Sequence, residues 1–306
     1  MEISAVTSSP GLADKSNSRL WRGSTDGTPW MHRALIGLFR FVPLRLMYVV
    51  MATAIPVYVV VDSRGRRASY NFFRHRIGYG RLRSALHVLK NMYCMGQVVM
   101  DRFASYAGRC FGMQGPGIEL YDKLSRGAEG FLLCSSHLGN FELAGYLLRP
   151  RKPMKVLVYE GETATVMQNR ARLFGEGNVT MVPVREDLSH IFILNSALSD
   201  GEIVSVPSDR VYGSAKVVKA RFFGQEASFP SGAFTMALQR GVPVVSCFVM
   251  KVSAREYRVL MDRLPIPEEG SRNDRLQALA QSFADSLERV AREYPDQWYN
   301  FYDFWA

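Results

Sequence analysis

The chain has 306 residues, 47% of them apolar by type, enough to bury a full core as one large domain and too rich in aromatic and branched residues for a disordered chain. Its formal net charge of +10 suits an anionic partner, whether membrane surface, nucleic acid or phosphorylated ligand, and is silent about fold. Cys94, Cys110, Cys134 and Cys247 are widely spaced, with no C-x-x-C pair and no zinc-like spacing, so they are expected to be reduced and structural in a cytoplasmic setting.

Residues 1–31 read as a flexible arm rich in Ser, Gly, Thr and Asp, without the apolar core and small-residue cleavage site of a secretory signal. Residues 32–61 form an apolar segment ending in "LMYVVMATAIPVYVVV", sixteen residues without a charge, with Pro56 placed to kink a helix there. A spanning helix wants about 20 apolar residues, so two readings stand: a buried core helix, or a membrane anchor that is tilted or lies in the interface. The sequel favours the second. Between Ser63 and Lys90 there are eight basic residues and no acidic one, a run suited to anionic headgroups. Arg33, Arg40 and Arg45 flank the other end, so the positive-inside rule selects no orientation. The basic run carries no recognised nucleic-acid motif and no nucleic-acid partner is expected.

Residues 62–306 form the remaining domain, and from Phe131 onward short β-rich runs alternate with helical ones. Strands are predicted over 131–136, 155–159, 179–184, 202–207, 217–223, 242–250 and 257–261, and helices over 140–149, 164–175, 187–199, 231–240 and 272–293. This alternation predicts an α/β layered fold, a mixed, largely parallel central sheet flanked by helices, with the apolar helical segment N-terminal to it. In such sheets ligands bind at the carboxyl ends of strands, and His137 stands directly after the first of these runs.

The stretch "CSSHLGNFELAG" (134–145) places Glu142 five residues after His137. Chance supplies a histidine and a glutamate in any chain this long, so the neighbours must decide. On one helix residues five apart lie about 140° from each other and cannot meet. The histidine is therefore expected in a strand-to-helix turn permitted by Gly139, with Asn140 as N-cap and Glu142 in the first turn, reaching back to the ring. A carboxylate on one ring nitrogen fixes the tautomer, frees the other to accept a proton and stabilises the imidazolium. No G-x-S-x-G elbow supplies a protein nucleophile, which leaves the substrate to provide one.

"SSHLGNFELAG" resembles the H-x4-D/E block of the lysophospholipid acyltransferase superfamily, and more closely that of the bacterial lipid A late (lauroyl/myristoyl) acyltransferases. "VPSDRVYG" (206–213), "ARFFGQEASFPSGAFTMALQRGVPVV" (220–245) and "YPDQWYNFYDFW" (294–305) follow in the order expected of that family. The resemblance implies a membrane-associated acyltransferase on the cytoplasmic face of a bacterial inner membrane. It would move a fatty acyl chain from a thioester of acyl carrier protein or coenzyme A to a hydroxyl of a lipid such as a lipid A precursor. His137 would be the general base and Glu142 its partner, with no acyl-enzyme, metal or bound cofactor. A lysophospholipid or aminoacyl lipid acceptor stands as the alternative. A catalytically inactive membrane scaffold ranks lower, because it need not keep a matched His and Glu.

Further candidates are weighed against blander roles. Arg170 and Arg172, in "QNRARLFG", match arginines that the family places near its site and suit an anionic acceptor or phosphopantetheine, with Arg172 the first choice; surface ion pairing competes. Asp209 follows a strand and a Pro, so a turn role competes evenly with a site role; the resemblance carries over Asp209, and the family more often has a second acidic or amide residue where Arg210 or Val211 stands. Asn140, Ser231 and Gly232 are candidates for substrate contact, with helix capping the simpler account of Ser231. His32, His75, His87 and His190 match no ligand pattern. The C-terminal aromatics from Trp298 to Trp305 fit core packing or a membrane interface.

Overall fold

The computed structural model describes residues 29–148, 150–158, 168–172, 178–185, 187–211 and 216–305. Most of the predicted helix 164–175 and most of the N-terminal arm lie outside them.

The N-terminal third is helical: α1 (Pro29–Phe39), α2 (Leu44–Val61), α3 (Ser63–Asn71), a π-helical turn (Phe72–Arg76) and a long α4 (Arg81–Tyr106). Then come β1 (Gly112–Gln114), α5 (Gly117–Arg126), β2 (Phe131–Ser135), α6 (Phe141–Leu147), β3 (Met154–Val158), β4 (Val179–Pro183), α7 (Ser189–Ser199) and β5 (Ile203–Pro207). The chain closes with the hairpin β6 (Val217–Phe222) and β7 (Gln225–Pro230), then α8 (Gly232–Arg240), β8 (Val244–Lys251), β9 (Glu256–Leu264), α9 (Arg272–Glu293) and a 3-10 turn (Pro295–Gln297).

Seven strands form one sheet in the order β1-β9-β8-β2-β5-β3-β4, parallel at every pairing except β8 with β9. The β6-β7 hairpin stands apart. The predicted mixed, largely parallel sheet is therefore present, and each predicted strand run overlaps an observed one. Every residue of β2 is buried, as a central parallel strand requires, and alternate residues serve opposite faces. Leu132 and Cys134 join a core with Val204, Phe248 and the helical residues Leu194, Phe234 and Phe283. Phe131 and Leu133 join another, with Ile203, Val249, Phe103, Tyr106 and Leu143. Helices therefore cover both faces.

Local chemistry explains several boundaries. Ser271 and Asp274 close a reciprocal capping box at the start of α9. Gly241, at φ +67°, ends α8 in the left-handed conformation. Several elements escape the sequence reading: β1 is three residues long, β7 carries alternating polar residues, α4 mixes charges into its apolar stripe, and α3 and α5 are short helices of largely polar sequence.

Candidate functional site

β2 and β5 are parallel neighbours in a register that pairs Cys134 with Val206 and Ser135 with Pro207. The register continues past the strands, where the Ser208 amide donates to the Ser135 carbonyl at 2.8 Å. Two residues beyond the last pair on each strand stand His137 and Asp209. The sheet alone brings them together: Asp209 Oδ1 lies 2.8 Å from His137 Nδ1, and Oδ2 accepts from the His137 backbone amide at 2.8 Å. Both oxygens of a carboxylate that is 2% exposed are thereby engaged on one residue.

This corrects the sequence reading, in which Glu142 orients the ring. Glu142 does occupy the first turn of α6, after Asn140 as N-cap, as the turn geometry predicts. Its carboxylate is held elsewhere, by α4 and the segment at 168–172. Arg170 grips it with two bonds, Nε to Oε1 at 3.2 Å and Nη2 to Oε2 at 2.8 Å; Tyr106 donates to Oε1 at 2.8 Å and Arg102 to Oε2 at 3.2 Å. The physical reason is competition. Two guanidiniums and a phenol outbid a neutral imidazole for a buried carboxylate, and the register of the sheet gives the imidazole a nearer partner.

The turn between β2 and α6 is bound on every side. Gly139 has φ +72°, and a Cβ there would stand 2.2 Å from the Val249 carbonyl oxygen, so only glycine fits. The His137 carbonyl accepts from the Tyr299 amide at 2.9 Å, the Gly139 amide donates to Gln297 at 2.8 Å, and the Asn140 amide donates to Val249 at 2.7 Å. Asn140 is 2% exposed; its Oδ1 caps α6 through the Leu143 amide and its Nδ2 donates to the Tyr257 hydroxyl at 3.2 Å. Asn140 thus fixes the turn, as its predicted N-cap role requires. Tyr257 in turn donates to Asp101, a fully buried carboxylate that also accepts from Lys251 and Tyr48.

The remaining candidates separate. Arg210 is buried beside Asp209, with Nη2 donating to the Tyr299 carbonyl at 2.6 Å. Arg170 is the buried arginine, whereas Arg172 is exposed and donates to the Tyr106 carbonyl at 3.0 Å. Ser231 is not a side-chain cap: its hydroxyl and its amide both donate to the Lys216 carbonyl at 2.9 Å, closing the β6-β7 hairpin. Gly232 is exposed, and an added Cβ there would meet no protein atom within 4 Å. Arg102 and Tyr106 are the partners of Glu142 on α4 that the sequence reading missed. Their one signal is a four-residue spacing on a single face of α4.

Electrostatics favour a neutral, proton-accepting ring. Burial and then the Arg210 charge hold the His137 pKa below the ordinary imidazole value, while Asp209 pulls it upward. Burial raises the Asp209 carboxyl, but His137 and Arg210 more than offset that and hold it below the usual carboxylate value. With Nδ1–H donating to an ionised Asp209, Nε2 is the ring's proton-accepting nitrogen. The Cys134 thiol, at the end of β2, is pushed up to about 12 by burial and stays protonated at neutral pH. Among the described residues no group of His, Cys, Asp and Glu is arranged to hold a metal ion.

No match to this chain is found among curated proteins. The family model described as bacterial lipid A biosynthesis acyltransferase matches residues 94–306, more than half of the chain, and takes in α4 from Arg102 to Tyr106, the His137 turn, Asp209 and the C-terminal aromatics. The chain belongs to the family of bacterial lipid A biosynthesis acyltransferases.

Proposed function

We propose that the protein transfers a fatty acyl chain from a thioester, of acyl carrier protein or coenzyme A, to a hydroxyl of a lipid A precursor, with His137 as general base. The observation that carries the reading is the His137 and Asp209 pair at the carboxyl ends of β2 and β5. His137 Nε2 takes the proton of the acceptor hydroxyl as its oxygen attacks the thioester carbonyl carbon. The tetrahedral adduct collapses, the C–S bond breaks, and the departing sulfur takes the proton back from the imidazolium. Asp209 holds the tautomer and stabilises the charged ring, so neither acyl-enzyme nor metal is required.

Glu142 serves a second purpose in this scheme. Held by Arg170 and Arg102, it spaces a set of guanidiniums beside the turn, with Arg172 exposed at its rim. Planar, permanently charged groups of this kind suit the phosphates of a lipid A precursor or of a phosphopantetheine arm. The apolar N-terminal segment would bring the site to its lipid at the inner membrane.

Lipid mass spectrometry of a deletion strain beside its parent tests the acceptor: a lipid A lacking one acyl chain is expected, and an unchanged lipid A with an altered phospholipid overturns that assignment. Acyl transfer by the purified chain, from acyl carrier protein and coenzyme A thioesters separately, identifies the donor.

A further inference from the structure

α2 is the one helix among the described residues that is long and apolar enough to cross a membrane, and 17% of it is buried. That buried share is organised. Leu44, Met47 and Tyr48 are buried and Met51, Ile55 and Val59 half-buried, so one stripe at helical spacing faces the protein. The stripe runs antiparallel along α4: Tyr48 donates to Asp101, and Met51 fills the space that a side chain at position 96 would need beside Gly96. Asp101 also holds Lys251 and Tyr257 of the sheet, and Lys251 Nζ donates to the Tyr48 hydroxyl at 3.0 Å. α2 is therefore tied by a buried charged cluster to the same sheet that carries the site.

The outward face of α2 is bare and apolar, with Leu46, Val50, Val57 and Val61 each more than half exposed. α4 extends this surface. Positions 82, 86, 89, 93, 96 and 100 share one side of that helix. α2 packs on it at Gly96, while Leu82, Leu86 and Leu89 stand exposed past the covered part. Exposed arginines rim the surface at both ends, Arg40 and Arg45 at one and Arg64, Arg67 and Arg81 at the other, and none of these five has an acidic partner among the described residues.

We propose that α2 does not span the bilayer but lies in the plane of one leaflet, and that Leu82, Leu86 and Leu89 of α4 enter the same leaflet beside it, with the rim arginines on anionic headgroups. Were α2 to cross, its packing partner α4 would be drawn into the hydrocarbon with Arg81, Arg83, Lys90 and Asp101, charges that are costly there. Its 18 residues measure about 27 Å, at the lower limit for the roughly 30 Å hydrocarbon core and with no length to spare for tilt. An apolar face flanked by basic residues is the composition of an interfacial helix. The proposal rests on the reading of the chain as a membrane-lipid enzyme.

Topology separates the two arrangements. With a tag at each terminus of the full chain, both tags are expected to be cut by protease in inside-out membrane vesicles and both protected in spheroplasts; tags on opposite sides overturn the proposal. The α4 contact is read from Leu86→Cys in a full chain whose Cys94 and Cys110 are replaced by Ser, labelled with an environment-sensitive fluorophore. Vesicles containing phosphatidylglycerol should shift its emission to the blue and phosphatidylcholine vesicles should shift it less. No shift with either overturns the α4 contact, and a shift that follows protein concentration without vesicles assigns the face to a second copy of the chain instead. Acyl transfer by the doubly tagged chain is followed alongside, so inactivity with both tags on one side would count against the enzymatic reading and leave the topology standing.

Discussion

Two buried carboxylates stand close to the same turn and have opposite surroundings. Asp209 shares its oxygens between the ring and the amide of one histidine, with Arg210 as its cationic neighbour. Glu142 is enclosed by Arg170, Arg102 and Tyr106, on a helix that packs against α4. The first carboxylate can follow a proton on and off the imidazole. The second is committed to permanent cations. Residue type is nearly the same in both places, so the neighbours supplied by the fold decide which carboxylate pairs with the imidazole and which pairs with guanidiniums.

The largest effect expected is from His137→Ala, which removes the proton acceptor and should lower acyl transfer per folded molecule by about 10² to 10⁴, with some loss of thermal stability because Asp209 Oδ1 loses its ring partner. Near-parental transfer by the folded variant would remove the base from the scheme. Asp209→Asn comes next. It keeps the shape but loses the charge that fixes the tautomer and supports the imidazolium, and a fall in kcat of about 10² or more is expected. It also tests the partnership directly. Transfer needs the neutral ring, so the rate should hold below pH ~6.5, the unperturbed imidazole value, and fall as pH drops through the lowered His137 pKa. Asp209 pulls that pKa upward, so its loss should move the acid limb to still lower pH.

Glu142→Gln sharpens the contrast. Removing one partner of a buried ion pair costs about 3 to 5 kcal/mol, to be read by chemical denaturation, because two arginines lose their counter-charge. The acid limb of the rate profile should stay where it is; a shift like that of Asp209→Asn would return Glu142 to the histidine. The smallest effect belongs to Arg210→Gln. Its charge depresses the His137 pKa, so its removal should carry the acid limb to higher pH, with a modest change in kcat above it.

The sequence made the sheet legible because parallel strands buried on both faces read as continuous apolar runs, and "FLLCS", "IVSVP" and "VVSCFVMK" announce themselves. It also made the histidine legible, through Gly139 and Asn140, whose roles are local. The partner was not. Glu142 sits within reach along the chain, whereas Asp209 is 72 residues away and meets His137 only once β5 has paired with β2. Asp209 could be suspected as a site residue from its place after a strand, but its role depends on strand order, which no local pattern encodes. Arg102 and Tyr106 were hidden for the same reason, lying on a long helix whose charges look like a solvated face. The hairpin β6-β7 was half seen, since its second strand alternates polar residues and presents no apolar run.

The pairing of His137 with Asp209 has a kinetic corollary. The Ser208 amide donates to Ser135, the His137 amide to Asp209 and the Asn140 amide to Val249, so the backbone that carries the base is an extension of the central ladder. In many proteins active-site loops open at low free-energy cost, well before the core does. Here those amide protons should exchange with solvent on the slow clock of the sheet itself. Heat inactivation should then track global unfolding, with no earlier phase in which the enzyme is folded and silent.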